Sequence, residues 1–139
     1  MEITANAIQT VSEGANVLFS DTVASGNCSI LHREGSGLTT LRGLTAQCKA
    51  RFRVSFGGNI AIPTGGTVEA ISLALAINGE PVATTTMIST PAAVEEYNNV
   101  FSAIFLDVPK GCCSQISVQN TSDQAIEVQN ANLIVERVA

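Results

Sequence analysis

The chain has no tryptophan, one tyrosine and one histidine, and only 14% of its 139 residues are charged. Each shortage excludes something. With Tyr97 as the sole Tyr and no Trp, no set of aromatic platforms exists on which bases or sugar rings would stack. A lone histidine and the absence of any Cys-x2-4-Cys spacing leave no basis for a zinc or other transition-metal site. Cys-x-x-Cys is missing too, which removes the ordinary redox motif. No run approaches the ~18 apolar residues of a membrane span. Met1-Glu2 leads into a polar stretch and not into a basic-then-apolar leader. The expectation is therefore a protein made and folded in the cytoplasm, with no membrane span. The net charge of −5 has the wrong sign for a nucleic-acid binder. The one basic cluster, Lys49, Arg51 and Arg53, reads first as a solvated strand face.

Helical periodicity is also lacking. What recurs is a strand signal about every ten residues, punctuated by Gly, Pro, Asn, Asp and Ser, the pattern of an all-β sandwich or barrel. Strands are predicted over 3–11 and 16–20. A hairpin is predicted over 28–41, turning at Glu34-Gly35-Ser36-Gly37. Residues 48–56 alternate, with Phe52, Val54 and Phe56 on one side and Arg51, Arg53 and Ser55 on the other. Gly57-Gly58-Asn59 predicts a bend or bulge before 60–62. Further strands are predicted over 68–77, then from an Asn78-Gly79 turn into 82–88, then over 97–108, 113–120, 126–128 and 132–138. The whole is read as one domain, 1–139.

Strand 97–108 is apolar on both sides: Tyr97, Phe101 and Phe105 on one, Val100, Ile104, Leu106 and Val108 on the other. A sandwich strand turns one face to the core, so the other needs a cover. In a chain without helices a second subunit is the simplest one. Low charge points the same way, since self-association hides surface that would otherwise carry charge. Buried free thiols are the first reading for Cys28, Cys48, Cys112 and Cys113. A Cys28–Cys48 link, or a link from either to Cys112 or Cys113, stays open.

Five segments, in order, resemble a known superfamily. They are A-x-F-x-V-S-F-G-G-N-I at 50–60, S-L-A-L-A-I-N-G-E-P-V at 72–82, F-L-D-V-P-K-G at 105–111, I-S-V-Q-N-T-S at 116–122 and N-A-N-L-I-V-E-R-V at 130–138. Together they resemble the jelly roll of the tumour-necrosis-factor and complement-C1q superfamily, in the flavour of the C-terminal domains of bacterial and phage collagen-like and spore-surface proteins. The likeness covers 45–139 well and the first 44 residues loosely. Two departures are Cys112-Cys113 after the P-x-G turn and the lack of any Gly-x-y stalk. The resemblance implies about ten strands and a tight homotrimer whose first and last strands line the threefold axis. This adds Leu133 and Val135 to Tyr97, Phe101 and Phe105 as interface candidates. A likeness to small proteins of Firmicutes and their phages implies a virion or particle-surface location, as in a capsid decoration protein, with a capsid protein as a partner.

No catalytic set assembles. His32 stands beside Arg33 and Glu34 with no nucleophile elbow. Glu34-Gly35-Ser36-Gly37 lacks the Lys and helix of a phosphate loop. Glu95, Glu96, Asp107 and Asp123 offer oxygens of the kind that hold calcium in some relatives, but solvated carboxylates are the plainer reading. The expectation is a non-enzyme without cofactor or metal. It is a structural trimer or, alternatively, a trimeric module that recognises a glycan or receptor through its loops. Loops rich in Gly, Ser, Thr and Asn favour the first.

Overall fold

The computed structural model describes all 139 residues. Twelve strands follow in order: β1 Glu2–Ala5, β2 Gln9–Val11, β3 Asp21–Ala24, β4 Ile30–His32, β5 Thr39–Arg42, β6 Lys49–Ala61, β7 Ile71–Ile77, β8 Glu80–Pro81, β9 Met87–Ser89, β10 Asn98–Pro109, β11 Cys113–Asn120 and β12 Ile126–Arg137. The one helical element is a 3-10 turn, Ala83–Thr85. The first sheet runs β10-β6-β12-β1-β3, with β2 also on β12. The second runs β4-β5-β11-β7-β8, with β9 also on β7. Every pairing is antiparallel. This is the all-β sandwich that the spacing of turns pointed to, with the jelly-roll arrangement that the resemblance implied.

The core lies between the sheets, and β6 shows how it is built. Successive residues of a strand point to opposite faces. Ala50, Phe52, Val54, Phe56 and Ile60 are all buried, while Lys49, Arg51 and Arg53 are exposed. The Phe56 ring meets Phe19 edge-on, centroids 6.4 Å apart, an arrangement that suits the ring quadrupoles. From β12 come Ile126 and Val128, then Ala131, Leu133 and Val135. Parity changes between the two groups because β12 carries one extra residue. Gln129 faces Asn59 but Asn132 faces Gly57, and Asn130 takes the left-handed conformation at φ 54°.

Several expectations change here. The segment 3–11 is two strands with a break at residues 6–8, and 16–20 is not a strand, although Val17 and Phe19 are core residues. Gly57-Gly58 interrupts nothing: β6 runs straight through, and the bulge sits opposite, on β12. The two predicted strands 126–128 and 132–138 are one bulged strand. The hairpins β4–β5 and β7–β8 form as predicted, the second through Asn78 and Gly79, both at positive φ. The segment 82–88 splits into the 3-10 turn and β9. There the buried Thr85 hydroxyl accepts from Leu75 N at 3.0 Å and donates to Val82 O, replacing ladder bonds that no strand supplies. The cysteines are corrected too. All four are exposed and unpaired, because they occupy loops and a strand tip at one end of the sandwich and not strand interiors.

The opposite end is held by Asn120, which is 1% exposed. Its side-chain amide donates to Val11 O, Ser12 O and Gln124 O, and its Oδ1 accepts from Ser122 N. Replacing it leaves buried carbonyls without donors. Asn120→Ala is expected to cost about 2–3 kcal/mol, read as a lower urea midpoint with an unchanged slope.

Candidate functional site on the outer face of the first sheet

The side of β10, β6 and β12 turned away from the core carries the most unusual surface of the chain. Phe101 and Phe105 on β10 are each 65% exposed, with Ala103 between them. Across the sheet, Phe101 faces Gly57, Ala103 faces Ser55 and Phe105 faces Arg53. On the far side Asn132, Ile134 and Glu136 continue the same three rows. An aromatic ridge on β10 is thus separated from Ile134, itself 39% exposed, by the small residues Ser55 and Gly57. The Phe101 ring leans over the glycine, its Cδ2 3.8 Å from where a Cβ would stand. β10 also ends the sheet, so its outer edge has no strand partner, and Ile104 and Leu106 are only partly buried there. Long open edges with apolar neighbours are surfaces that other chains join.

Charge frames this strip on one side. Asp107 receives Arg51 through Nε at 2.8 Å and Nη2 at 3.1 Å, and Lys49 Nζ lies 3.0 Å away. These hydrogen bonds hold the Asp107 carboxyl far below the usual carboxylate range, and Asp107 in turn raises the Arg51 value. Arg53 reaches Glu136 at 3.3 Å. Each member of the predicted basic cluster therefore has a carboxylate partner.

On the other side lies an acidic corner. Glu95 accepts from Thr64 N and Oγ1. Its neighbour Glu127 has a buried Oε1 with no donor facing it. The two carboxyls interact: a hydrogen bond from Glu127 would hold Glu95 below its ordinary value, and the same interaction, with burial, pushes Glu127 up. The Tyr97 hydroxyl is buried without a partner, and is raised first by burial and then by the charges of Glu127 and Glu95.

Of the five predicted interface residues, Phe101 and Phe105 form the strip, and Tyr97 belongs to the acidic corner. Leu133 and Val135 are corrected: at 1% and 0% exposed they are core residues, turned inward by the bulge at Asn130. Ile134 takes their place on the outer face. Asn130 was the available signal, being a residue type that tolerates positive φ in an otherwise alternating strand. The carboxylates considered for calcium do not converge. Asp107 is tied to Arg51 and Lys49 at the far end of β10 from Glu95, and no three His, Cys, Asp or Glu side chains gather anywhere in the chain. No helix is long and apolar enough to cross a membrane.

Neither a protein-family model nor a curated protein matches the sequence. Solved structures do match in shape. The Eiger TNF of S. frugiperda superposes with a TM-score of 0.68 at 15% identity, covering 100% of this chain and 92% of that one. The globular domain of zebrafish complement 1qA gives 0.63 at 12% identity, covering 96% and 93%. Murine APRIL gives 0.63 at 10% identity, covering 97% of both. At such identities the likeness establishes the fold, that of the tumour-necrosis-factor and C1q jelly rolls, over the whole chain.

The acidic corner sets a pH dependence. Glu127, with a raised value, stabilises the fold below the ordinary glutamate range, and this is lost as pH rises through the raised value. Glu95, with a lowered value, works in the opposite direction: its contribution is present above the ordinary range and lost as pH falls through the lowered value. Glu127→Gln keeps a donor for Glu95 but has no proton to lose. Its Tm is expected to match that of the parent near pH ~4 and to exceed it increasingly towards pH ~7. Superimposable Tm–pH curves would exclude this interaction.

Proposed function

We propose that this chain is a structural, non-catalytic module that assembles as a homotrimer through the outer face of its first sheet. The assembly would sit on a particle surface, as a virion decoration component in contact with a capsid protein. The observation that carries self-association is the strip of Phe101, Ala103, Phe105 and Ile134, open to solvent in the single chain and rimmed by paired charge. Burying one such Phe is worth roughly 1.5–3 kcal/mol, and a polar rim around an apolar centre is the usual anatomy of an interface. The threefold order comes from the resemblance to the tumour-necrosis-factor and C1q jelly rolls, and the particle location from the resemblance to phage and spore-surface proteins. The non-catalytic reading is supported by His32. Its Nε2 bonds Ser36 O at 3.0 Å and its ring packs edge-on against Phe19, and neither ring nitrogen is hydrogen-bonded to a hydroxyl or thiol.

Recognition of a glycan or receptor through the loops is the alternative. A shallow groove between Arg33, Leu38 and Gln115 offers it a place, but neither this groove nor the others at the loops contain Phe, Tyr or Trp. Binding abolished by Arg33→Ala while assembly persists would favour that reading.

Light scattering on a sizing column is expected to give three times the 14.4 kDa chain mass. Phe101→Asp/Phe105→Asp is expected to give a folded monomer, since both side chains lie outside the core. A monomeric parent protein would overturn the proposal. Mass spectrometry of purified particles tests the location separately.

A further inference from the structure

The three segments that carry the four cysteines lie at one end of the sandwich, and all four residues are exposed. The backbone ties them together. Cys113 opens β11 directly opposite Arg42 on β5. Arg42 Nη1 donates to Cys28 O at 3.2 Å, and Arg42 N donates to Ser29 O at 2.8 Å. Cys48 O accepts from Lys110 N at 3.0 Å, one turn from Cys112. Gly43 clamps the group: its N donates to Cys112 O at 2.8 Å and its O accepts from Gly111 N at 3.0 Å. The clamp requires glycine, because a Cβ at residue 43 would stand 2.1 Å from Pro109 O. Two cations stand among the thiols without a carboxylate partner, Arg42 and Lys110, although the chain as a whole is acidic.

We propose that this end is a covalent joining surface through which copies of the chain link end to end by disulfide bonds. A patch that holds all the thiols of the chain on one end is self-complementary, as a twofold contact between identical chains requires. Repulsion between two such ends is screened beyond ~8 Å at physiological ionic strength. A metal reading lacks a preformed group of three ligands. Pairing Cys112 with Cys113 is disfavoured because consecutive Cα atoms stand ~3.8 Å apart, below the ~4.4 Å that a disulfide needs.

The chemistry uses a low-molecular-weight disulfide as oxidant, which the unpaired cations attract when it is anionic. A thiolate of one copy attacks that disulfide. A mixed disulfide forms, and one small thiol leaves. A thiolate of the second copy then attacks the protein sulfur, forming the interchain bond and releasing the second small thiol. Two protein thiols lose two electrons and two protons, and the oxidant is reduced to two thiols. This surface is independent of the sheet face proposed for the trimer.

The test is oxidation of the folded protein by oxidised glutathione, read on denaturing gels without reductant and by intact mass. A band at twice the chain mass is expected, collapsing with dithiothreitol. The paired band should weaken in Cys112→Ser/Cys113→Ser and in Cys28→Ser/Cys48→Ser. It should be lost in the variant with all four changed, whose circular dichroism should match the parent. A control places Thr64→Cys, at the opposite end, in that four-serine background, and is expected to stay unlinked. Four titratable thiols surviving oxidation, bonds confined within one chain, glutathione adducts alone, or a Thr64→Cys control that links as readily would each overturn the proposal.

Discussion

The two-residue period of β6 governs the rest of the molecule. β6 is thirteen residues long, flanked by β10 and β12 in register, and its alternate side chains decide which face of the first sheet is core and which is surface. A slip of one residue would bring Arg51 and Arg53 inward and expel Phe52 and Phe56. The three aromatic side chains that fill the sandwich, Phe19, Phe52 and Phe56, exclude that exchange, because burying an unpaired guanidinium costs far more than any strand pairing returns.

From this register the outer face follows. Partners of the odd-numbered β6 residues necessarily point outward, so Phe101, Ala103, Phe105 and Asp107 share a surface with Arg53, Ser55, Gly57 and Arg51. The ion pairs at one end come from the same rows, and Glu127, opposite Ala61, continues the sheet at the other. An apolar middle between two polar ends is therefore a consequence of strand pairing, and the small residues Ser55 and Gly57 leave room for a second surface to approach. The cysteine end obeys a different constraint. It is built by loops, and Gly43 allows two of them to touch where any other side chain would collide with the Pro109 carbonyl.

Much of this was legible from the chain alone, because alternation, turn residues and apolar runs are local. Phe52, Val54 and Phe56 against Arg51 and Arg53, the Asn78-Gly79 turn and the double-sided apolar character of 97–108 each follow from neighbours in sequence. The resemblance in motif order foretold the jelly roll that the solved structures match in shape. Failures came where a single residue changes parity. The extra residue at Asn130 turned Leu133 and Val135 inward and Ile134 outward, and the glycines at 57 and 58 advertised a bulge that the partner strand holds instead.

By itself the sequence determined an all-β, acidic, charge-poor sandwich with an apolar strand in need of cover, since composition and period-two patterning survive any arrangement of the strands. Tertiary structure alone decided which side of that strand lies open. It also decided that Glu95 and Glu127 share a corner, and that the segments carrying Cys28, Cys48, Cys112 and Cys113 lie at the same exposed end. Those facts depend on contacts between residues tens of positions apart, and pairing register, not local pattern, brings such residues together.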